Sequence, residues 1–177
     1  MPSSNDSFLR NNPRKLVLLA ILVSLATALH VIETLIPNPV PIPGAKLGLA
    51  NIITLVSLRL FGWKEALLVV ILRIITGSLL GGTFLGLGFL LSLSGGVFSL
   101  IVMFGLLRLI KGLSTVGVSV GGAASHNLAQ VAVAAFLTHT VQLFYFLPVL
   151  LLLSIPTGVF TGIAARTVEE YLCRIAK

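Results

Sequence analysis

The residues of this chain that could do chemistry are polar side chains set within strongly apolar stretches. They are Glu33, Asn51, Arg73, His126, Asn127 and Gln130. Such groups are costly inside a membrane, so they usually face the interior of a helix bundle or a wet cavity. At 100° per residue, His126, Asn127 and Gln130 occupy an arc of about 100° and share one helix face. Converging on one cavity, these groups would bind a small anionic or amphipathic molecule.

Each of these residues also has a structural alternative. Arg73 could neutralise Glu33, or could extend its charged end toward the membrane surface. Asn51, Asn127 and Gln130 could be hydrogen-bonded between helices and so hold the bundle together. The sequence alone leaves both roles open for each residue.

The sequence lacks the usual machinery of intrinsic catalysis. No lysine directly follows a glycine, which excludes the phosphate-binding loop G-x-x-x-x-G-K-[ST]. Asp6 is the sole aspartate, so no carboxylate cluster is available to hold Mg²⁺ against a substrate diphosphate. His30, His126 and His139 are not spaced as a zinc site. We therefore expect no catalytic residue, no metal and no cofactor, and any prenyltransferase role would need a catalytic partner.

The composition indicates that these polar residues lie in a lipid bilayer. Of the 177 residues, 56% are hydrophobic and 10% are charged, and the mean hydropathy is +1.09. A chain of this kind has too few polar residues to coat a water-soluble globule. The net charge of +7 comes from cations in small groups between apolar runs, not from a basic stripe with interleaved aromatics. The chain is therefore not expected to bind nucleic acid.

Apolar runs long enough to cross a bilayer, at about 20 residues each, predict six transmembrane helices. The predicted spans are Lys15–Ile36, Leu47–Phe61, Lys64–Leu80, Gly88–Ile110, Thr115–Thr138 and Leu143–Arg166. Every second connection is basic, and the other three contain only Lys46 between them. Because cytoplasmic connections are enriched in lysine and arginine, both termini are predicted to be cytoplasmic. The predicted fold is thus an all-α integral membrane protein, a six-transmembrane-helix bundle.

The domain organisation predicted from this pattern is simple. Residues 1–14 form a polar N-terminal tail, residues 15–167 the membrane domain, and residues 168–177 a cytoplasmic tail. Removal of the first span as a signal peptide is an alternative, because Ala26-Thr27-Ala28 resembles a cleavage site. That removal would leave five spans and break the charge alternation.

A proline-rich segment at residues 37–46 is predicted to lie on the outer side, between the first two spans. Its alternating prolines fix φ and remove hydrogen-bond donors, so the segment stays extended with few partners. We interpret it as a lid that includes Pro41, Pro43 and Gly44. Lys46 directly below this lid could meet an anionic group of a ligand, or could lie among the lipid headgroups.

A second pattern is a stripe of small residues on the first helix, formed by Ala20, Ser24 and Ala28. Small residues at every fourth position allow another helix to approach closely, either within this chain or from a partner protein. Glu33 projects nearly opposite the middle of this stripe. One face of the helix therefore suits a partner, and the other suits the interior of the bundle.

Three stretches carry a resemblance to a known family. "PNPVPIPGAKLGLANIITL", "GSLLGGTFLGLGFLLSLSGG" and "VGVSVGGAASHNLAQ" resemble the bacterial Gx transporter family, whose members are also labelled heptaprenyl diphosphate synthase component I. By that resemblance the fold is similar to the substrate-binding S component of energy-coupling factor transporters. Ala20, Ser24 and Ala28 would then meet a coupling membrane subunit, and separate cytoplasmic ATPases would supply energy. The resemblance also implies a multi-pass protein of the bacterial inner membrane.

Three hypotheses of function follow from the residues and the resemblance together. The first is a substrate-binding subunit for uptake of a small anionic or amphipathic solute, such as a vitamin or an isoprenoid or quinone precursor. The second is a non-catalytic component of heptaprenyl diphosphate synthase, which makes the menaquinone side chain. The third is a structural subunit of a membrane complex, in which the polar residues only join helices.

Overall fold

Six α-helices form within the residues that the computed structural model describes, which are 13–35 and 48–175. The described residues contain no β-strand, and one short 3-10 helix, Val141–Phe146, precedes the last α-helix. The α-helices are α1 Pro13–Leu35, α2 Asn51–Leu60, α3 Trp63–Leu80, α4 Leu87–Leu109, α5 Thr115–Thr138 and α6 Leu147–Ile175. The predicted all-α class is confirmed.

Two short connections are defined by local backbone chemistry. Gly62, with φ +96°, turns the chain between α2 and α3, a conformation that residues with a side chain rarely adopt. Gly112, with φ +89°, lies in the connection from α4 to α5. Ser114 then caps α5, because its Oγ accepts a hydrogen bond from the backbone N–H of Gly117 at 3.0 Å. These short connections place successive helices side by side.

Four of the six helices are long and apolar enough to cross a membrane: α1, α4, α5 and α6. The ten residues of α2 rise only about 15 Å, roughly half of a hydrocarbon core of about 30 Å. The eighteen residues of α3 include Lys64, Glu65 and Arg73. The four long helices indicate a membrane protein, while six crossings and two cytoplasmic termini stay predictions.

The last helix differs from its predicted bounds of Leu143–Arg166. It begins later, after the 3-10 helix, with Pro148 in its first turn, where a missing backbone N–H costs no intrahelical bond. It also continues to Ile175. An i,i+4 ion pair at 2.8 Å between Arg166 and Glu170 supports this polar extension.

The short helix α2 lies at the centre of the bundle. All residues from 51 to 58 are buried, and α2 contacts each of the other five α-helices. Around it, α1 packs on α3, α3 on α4, α4 on α5, and α5 on α6. The α5–α6 contact is close, since a Cβ at Gly158 would lie 2.6 Å from the Val120 Cα. A helix that is enclosed in this way can place polar groups away from lipid.

The exposure pattern is inverted relative to that of a water-soluble protein. Leu16 on α1 is 70% exposed, Phe136 on α5 is 77% exposed and Leu152 on α6 is 69% exposed. In contrast, Arg73 is 3% exposed and Gln130 is 2% exposed. Apolar side chains on the outside and polar ones inside are what a lipid solvent favours.

Charged residues meet at one end of the bundle, which we call the basic end. Lys15 at the start of α1 pairs with Glu65 at the start of α3, at 2.6 Å. Arg59 at the end of α2 pairs with Glu169 on α6 at 2.9 Å and donates to the hydroxyl of Thr115 at the start of α5. These contacts agree with helices that alternate in direction. The predicted basic connections thus lie at the same end of the molecule.

We expect Thr161→Val to destabilise the protein by about 0.5–1 kcal/mol. The Thr161 hydroxyl lies 2.7 Å from the Ser119 hydroxyl, and this buried hydrogen bond joins α6 to α5. Valine keeps the shape but removes the bond. The matched control is Thr167→Val, whose exposed hydroxyl bonds only to the Ile163 carbonyl of its own helix. Thermal unfolding in detergent should lower the midpoint for Thr161→Val alone, and equal midpoints would contradict the expectation.

Candidate functional site

Four buried side chains from four helices meet in what we call the polar network: Glu33, Asn51, Arg73 and His126. Glu33 and Asn51 are each 6% exposed, and Arg73 and His126 are each 3% exposed. Glu33 lies near the end of α1 that is opposite the basic end, while Arg73 and His126 lie near the middle of α3 and α5. The network therefore extends from that opposite end into the interior of the bundle.

Asn51, the first residue of α2, is the central member of the polar network. Its Oδ1 accepts a hydrogen bond from Nη2 of Arg73 at 3.1 Å. Its Nδ2 lies 3.4 Å from Nδ1 of His126. One amide therefore joins α3 to α5 through α2, which explains how the short central helix organises this part of the bundle.

Glu33 holds the entrance to α2. Its Oε1 accepts hydrogen bonds from the backbone N–H of Gly48 and, at 3.3 Å, from that of Leu49. A carboxylate is favourable there, because N–H groups at a helix start are unpaired and carry partial positive charge. Gly48 has φ +86°, and a Cβ on it would lie 2.8 Å from Nδ2 of Asn51. Glycine at this position thus lets the entrance of α2 approach the polar network.

Arg73 brings a positive charge into the bundle centre, and two groups compensate it. The Asn51 oxygen accepts from one terminal nitrogen, and the Glu33 carboxylate stabilises the guanidinium by Coulomb attraction. A charge at this depth costs several kcal/mol, about 2.5–3.5 on insertion scales. Among the described residues, the Nε of Arg73 has no hydrogen-bond partner. A buried charged donor without a hydrogen-bond partner favours binding of a ligand that brings an acceptor atom.

Two adjacent glycines on α4 make room for the polar network. A Cβ at Gly95 would lie 2.7 Å from Cε1 and 2.9 Å from each nitrogen of the His126 ring. A Cβ at Gly96 would lie 3.3 Å from Nη2 of Arg73. Helix α4 therefore contributes space, not side chains, to the site.

The other polar residues of α5 behave differently from His126. The Nδ2 of Asn127 donates to the Leu150 carbonyl on α6 at 3.0 Å, so this amide joins α5 to α6. Its Oδ1 is buried and has no partner among the described residues. Gln130, one turn beyond His126, is also buried. The structure thus turns adjacent side chains of α5 toward different helices, while all three remain inside the bundle.

The predicted site residues do not include His30 or the glycines that face the two buried imidazoles, Gly77 and Gly95. His30 is 2% exposed on α1, and a Cβ at Gly77 of α3 would lie 2.5 Å from its Cδ2. Gly77 and Gly95 each lie against an imidazole. Such a pairing gives no periodic pattern in the sequence. A glycine can be recognised as making room for a histidine only when the structure shows which helix faces it.

The predicted lid residues Pro41, Pro43 and Gly44 and the predicted ligand residue Lys46 lie outside the described residues. The stripe of small residues on α1 lies within them. Ala20, Ser24 and Ala28 are exposed, and together with the apolar side chains of Val17, Ile21 and Leu25 they line a shallow, open groove on the surface of α1. Glu33 is buried on the opposite side of α1, as the helical projection predicts.

Comparison with protein families gives one match. The family model described as heptaprenyl diphosphate synthase component I matches residues 22–168. This range contains all four members of the polar network and half of the residues that line the α1 groove, namely Ser24, Leu25 and Ala28. The comparisons with curated proteins and with solved structures give no match. The description names one component of a synthase, and it therefore implies a partner component.

Proposed function

Because this chain belongs to the heptaprenyl diphosphate synthase component I family, we propose that it is the non-catalytic membrane component of such a synthase. In this role it holds the anionic head of an isoprenoid diphosphate at the polar network, for a separate catalytic component. The observation that carries the proposal is Arg73, a buried cation whose Nη2 is fixed by Asn51 and whose Nε is a spare donor. We place the protein in the bacterial inner membrane.

Arginine is suited to this ligand for geometric reasons. Its planar guanidinium matches phosphate oxygens with two parallel hydrogen bonds, and such charge-assisted bonds are about twice as strong as neutral ones. Val70 and Ile74 lie beside Gly96 and Arg73, so apolar surface adjoins the cation. A charged head next to an apolar chain is the chemistry of an isoprenoid diphosphate.

The positions of the acidic residues support a non-catalytic role. Transfer chemistry on diphosphates needs clustered carboxylates to hold Mg²⁺. Glu65, Glu169 and Glu170 form ion pairs toward the basic end, and Glu33 binds the entrance of α2. The fifth acidic residue is Asp6, outside the described residues. Carboxylates so distributed leave the metal chemistry to the partner component.

The proposal is tested with the full chain in lipid nanodiscs and a catalytic prenyl synthase component from the same organism. We expect the reconstituted protein to bind heptaprenyl diphosphate more tightly than inorganic diphosphate, because both the head and the chain contribute. It should also raise the rate of chain elongation by the catalytic component. Binding without stimulation would overturn the synthase role. If the protein shows no binding and no stimulation, the result would favour a purely structural subunit.

A second candidate is a substrate-binding subunit for uptake, and the exposed groove on α1 favours it. The groove is lined by Ala20, Ser24 and Ala28, whose small size lets a transmembrane helix of a coupling subunit approach the α1 backbone closely. Energy would come from cytoplasmic ATPases on that subunit. The solute would be a small anionic or amphipathic molecule, held by the same polar network.

Uptake measurements separate the two candidates. In cells that lack the coupling ATPases, uptake of the labelled solute should collapse if this chain is a transport subunit. An Ala20→Leu, Ala28→Leu variant should then lose uptake but keep solute binding, because it fills the groove and leaves the network intact. Unchanged uptake in both experiments would exclude the transport candidate and leave the synthase component.

A further inference from the structure

The contact between Arg73 and Asn51 fixes the orientation of the Asn51 amide. A guanidinium has five N–H donors and no acceptor. The atom of Asn51 that faces Nη2 of Arg73 at 3.1 Å must therefore be the oxygen. The usual ambiguity between the two ends of an asparagine amide does not arise here, because a flipped amide would place N–H against N–H.

The fixed amide in turn decides the protonation of the neighbouring imidazole. With its oxygen toward Arg73, the Asn51 amide presents NH₂ to Nδ1 of His126 at 3.4 Å. An NH₂ group only donates, so Nδ1 must accept through its lone pair. The ring hydrogen then resides on Nε2.

We propose that Arg73, acting through Asn51, is a positioning residue that holds His126 in its Nε2–H tautomer. The close backbone of Gly95 supports the arrangement by restricting the ring. Gly95 lies beneath the imidazole, where a Cβ would be 2.7–2.9 Å from its Cε1, Nδ1 and Nε2 atoms. A flip of the ring about its Cβ–Cγ bond would exchange Nδ1 with Cδ2 and so remove Nδ1 from the Asn51 amide, and the close α4 backbone disfavours that flip.

The tautomer restricts the ligand chemistry, and this consequence rests on the proposed function. An Nε2–H edge donates, as the guanidinium does, so a ligand group that meets either must be an acceptor. Phosphate oxygens satisfy this requirement, whereas an ammonium head would meet donors on both α3 and α5. The tautomer itself is a property of the free protein and does not depend on any ligand.

The tautomer is measured by ¹⁵N–¹H correlation NMR on histidine-labelled full chain in nanodiscs, with His126→Gln used to identify the His126 signals. Two-bond correlations distinguish a ring that is protonated at Nε2 from one that is protonated at Nδ1. We expect Nε2–H in the unaltered protein. Nδ1–H there would overturn the proposal.

A matched variant reverses the expected result. Asn51→Asp keeps the size of the side chain, retains a partner for Arg73 and replaces the donating NH₂ by an accepting oxygen. His126 should then carry hydrogen on Nδ1, while Arg108→Met at the basic end should leave the tautomer unchanged. Retention of Nε2–H in Asn51→Asp would show that the amide does not control the ring. Failure of heptaprenyl diphosphate to bind would contradict the proposed function and leave this assignment intact.

Discussion

We expect Arg73→Met to weaken binding of heptaprenyl diphosphate to the reconstituted protein by about 10- to 100-fold, and Arg108→Met to leave it unchanged. Hydrogen bonds to a charged group contribute about 1.5–3 kcal/mol, and each 1.4 kcal/mol is a factor of ten in affinity. Methionine has a similar length and is apolar, so it fills the space of Arg73 without its charge. The measurement is a binding isotherm with labelled ligand in nanodiscs.

The fold should survive this substitution. Removal of a buried charge recovers its desolvation cost, which offsets the loss of the hydrogen bond to Asn51 and of the Coulomb attraction to Glu33. Glu33 keeps its bonds to the backbone N–H groups of Gly48 and Leu49, so its carboxylate is not left without partners. Arg108 is the matched control because its guanidinium is exposed over the Phe104 ring, at 4.7 Å from the centroid. Equal loss of affinity in both variants would mean that surface charge, not the polar network, attracts the ligand.

Apolar runs in the sequence predict most of this fold, because the membrane makes hydrophobicity and helix length directly informative. The predicted fifth span, Thr115–Thr138, has the same bounds as α5. The second helix is the instructive difference. The predicted span is Leu47–Phe61, and within its described residues, 48–61, the helix is Asn51–Leu60. Residues 48–50 precede it as a turn in which the N–H groups of Gly48 and Leu49 bond to Glu33. A carboxylate that binds backbone groups leaves no pattern in the sequence.

The polar network shows where helical projection stops being informative. His126 and Asn127 are adjacent and lie within one arc of about 100°. In the bundle, however, His126 meets Asn51 on α2 and Asn127 meets a carbonyl on α6. An arc that wide on a helix with several neighbours covers more than one of them. Sequence therefore identifies the buried polar residues, whereas their pairing depends on how α2 lies between α3 and α5.

Gly95→Ala is expected to disrupt the polar network more than any other glycine-to-alanine substitution on α4. The added Cβ would lie 2.7 Å from Cε1 of His126, closer than real Cβ contacts, and the Nδ1 of the same ring contacts Asn51. Overpacking of this kind typically costs about 1–3 kcal/mol. We expect a thermal midpoint several degrees lower in detergent, together with loss of the Nε2–H signal assigned to His126.

The same helix offers its own control, which makes the cause of any change identifiable. A Cβ at Gly105 meets nothing within 4 Å among the described residues, so Gly105→Ala should be neutral or should stabilise by up to about 1 kcal/mol through helix propensity. The double variant Gly95→Ala, His126→Ala removes the ring that the methyl group strikes. The decrease of its thermal midpoint should be smaller than the sum of the decreases in the two single variants, because contacting residues couple by about 0.5–3 kcal/mol. Strict additivity would mean that the Gly95→Ala effect comes from the α4 backbone and not from contact with the imidazole. The inference that Gly95 restricts the His126 ring would then be contradicted.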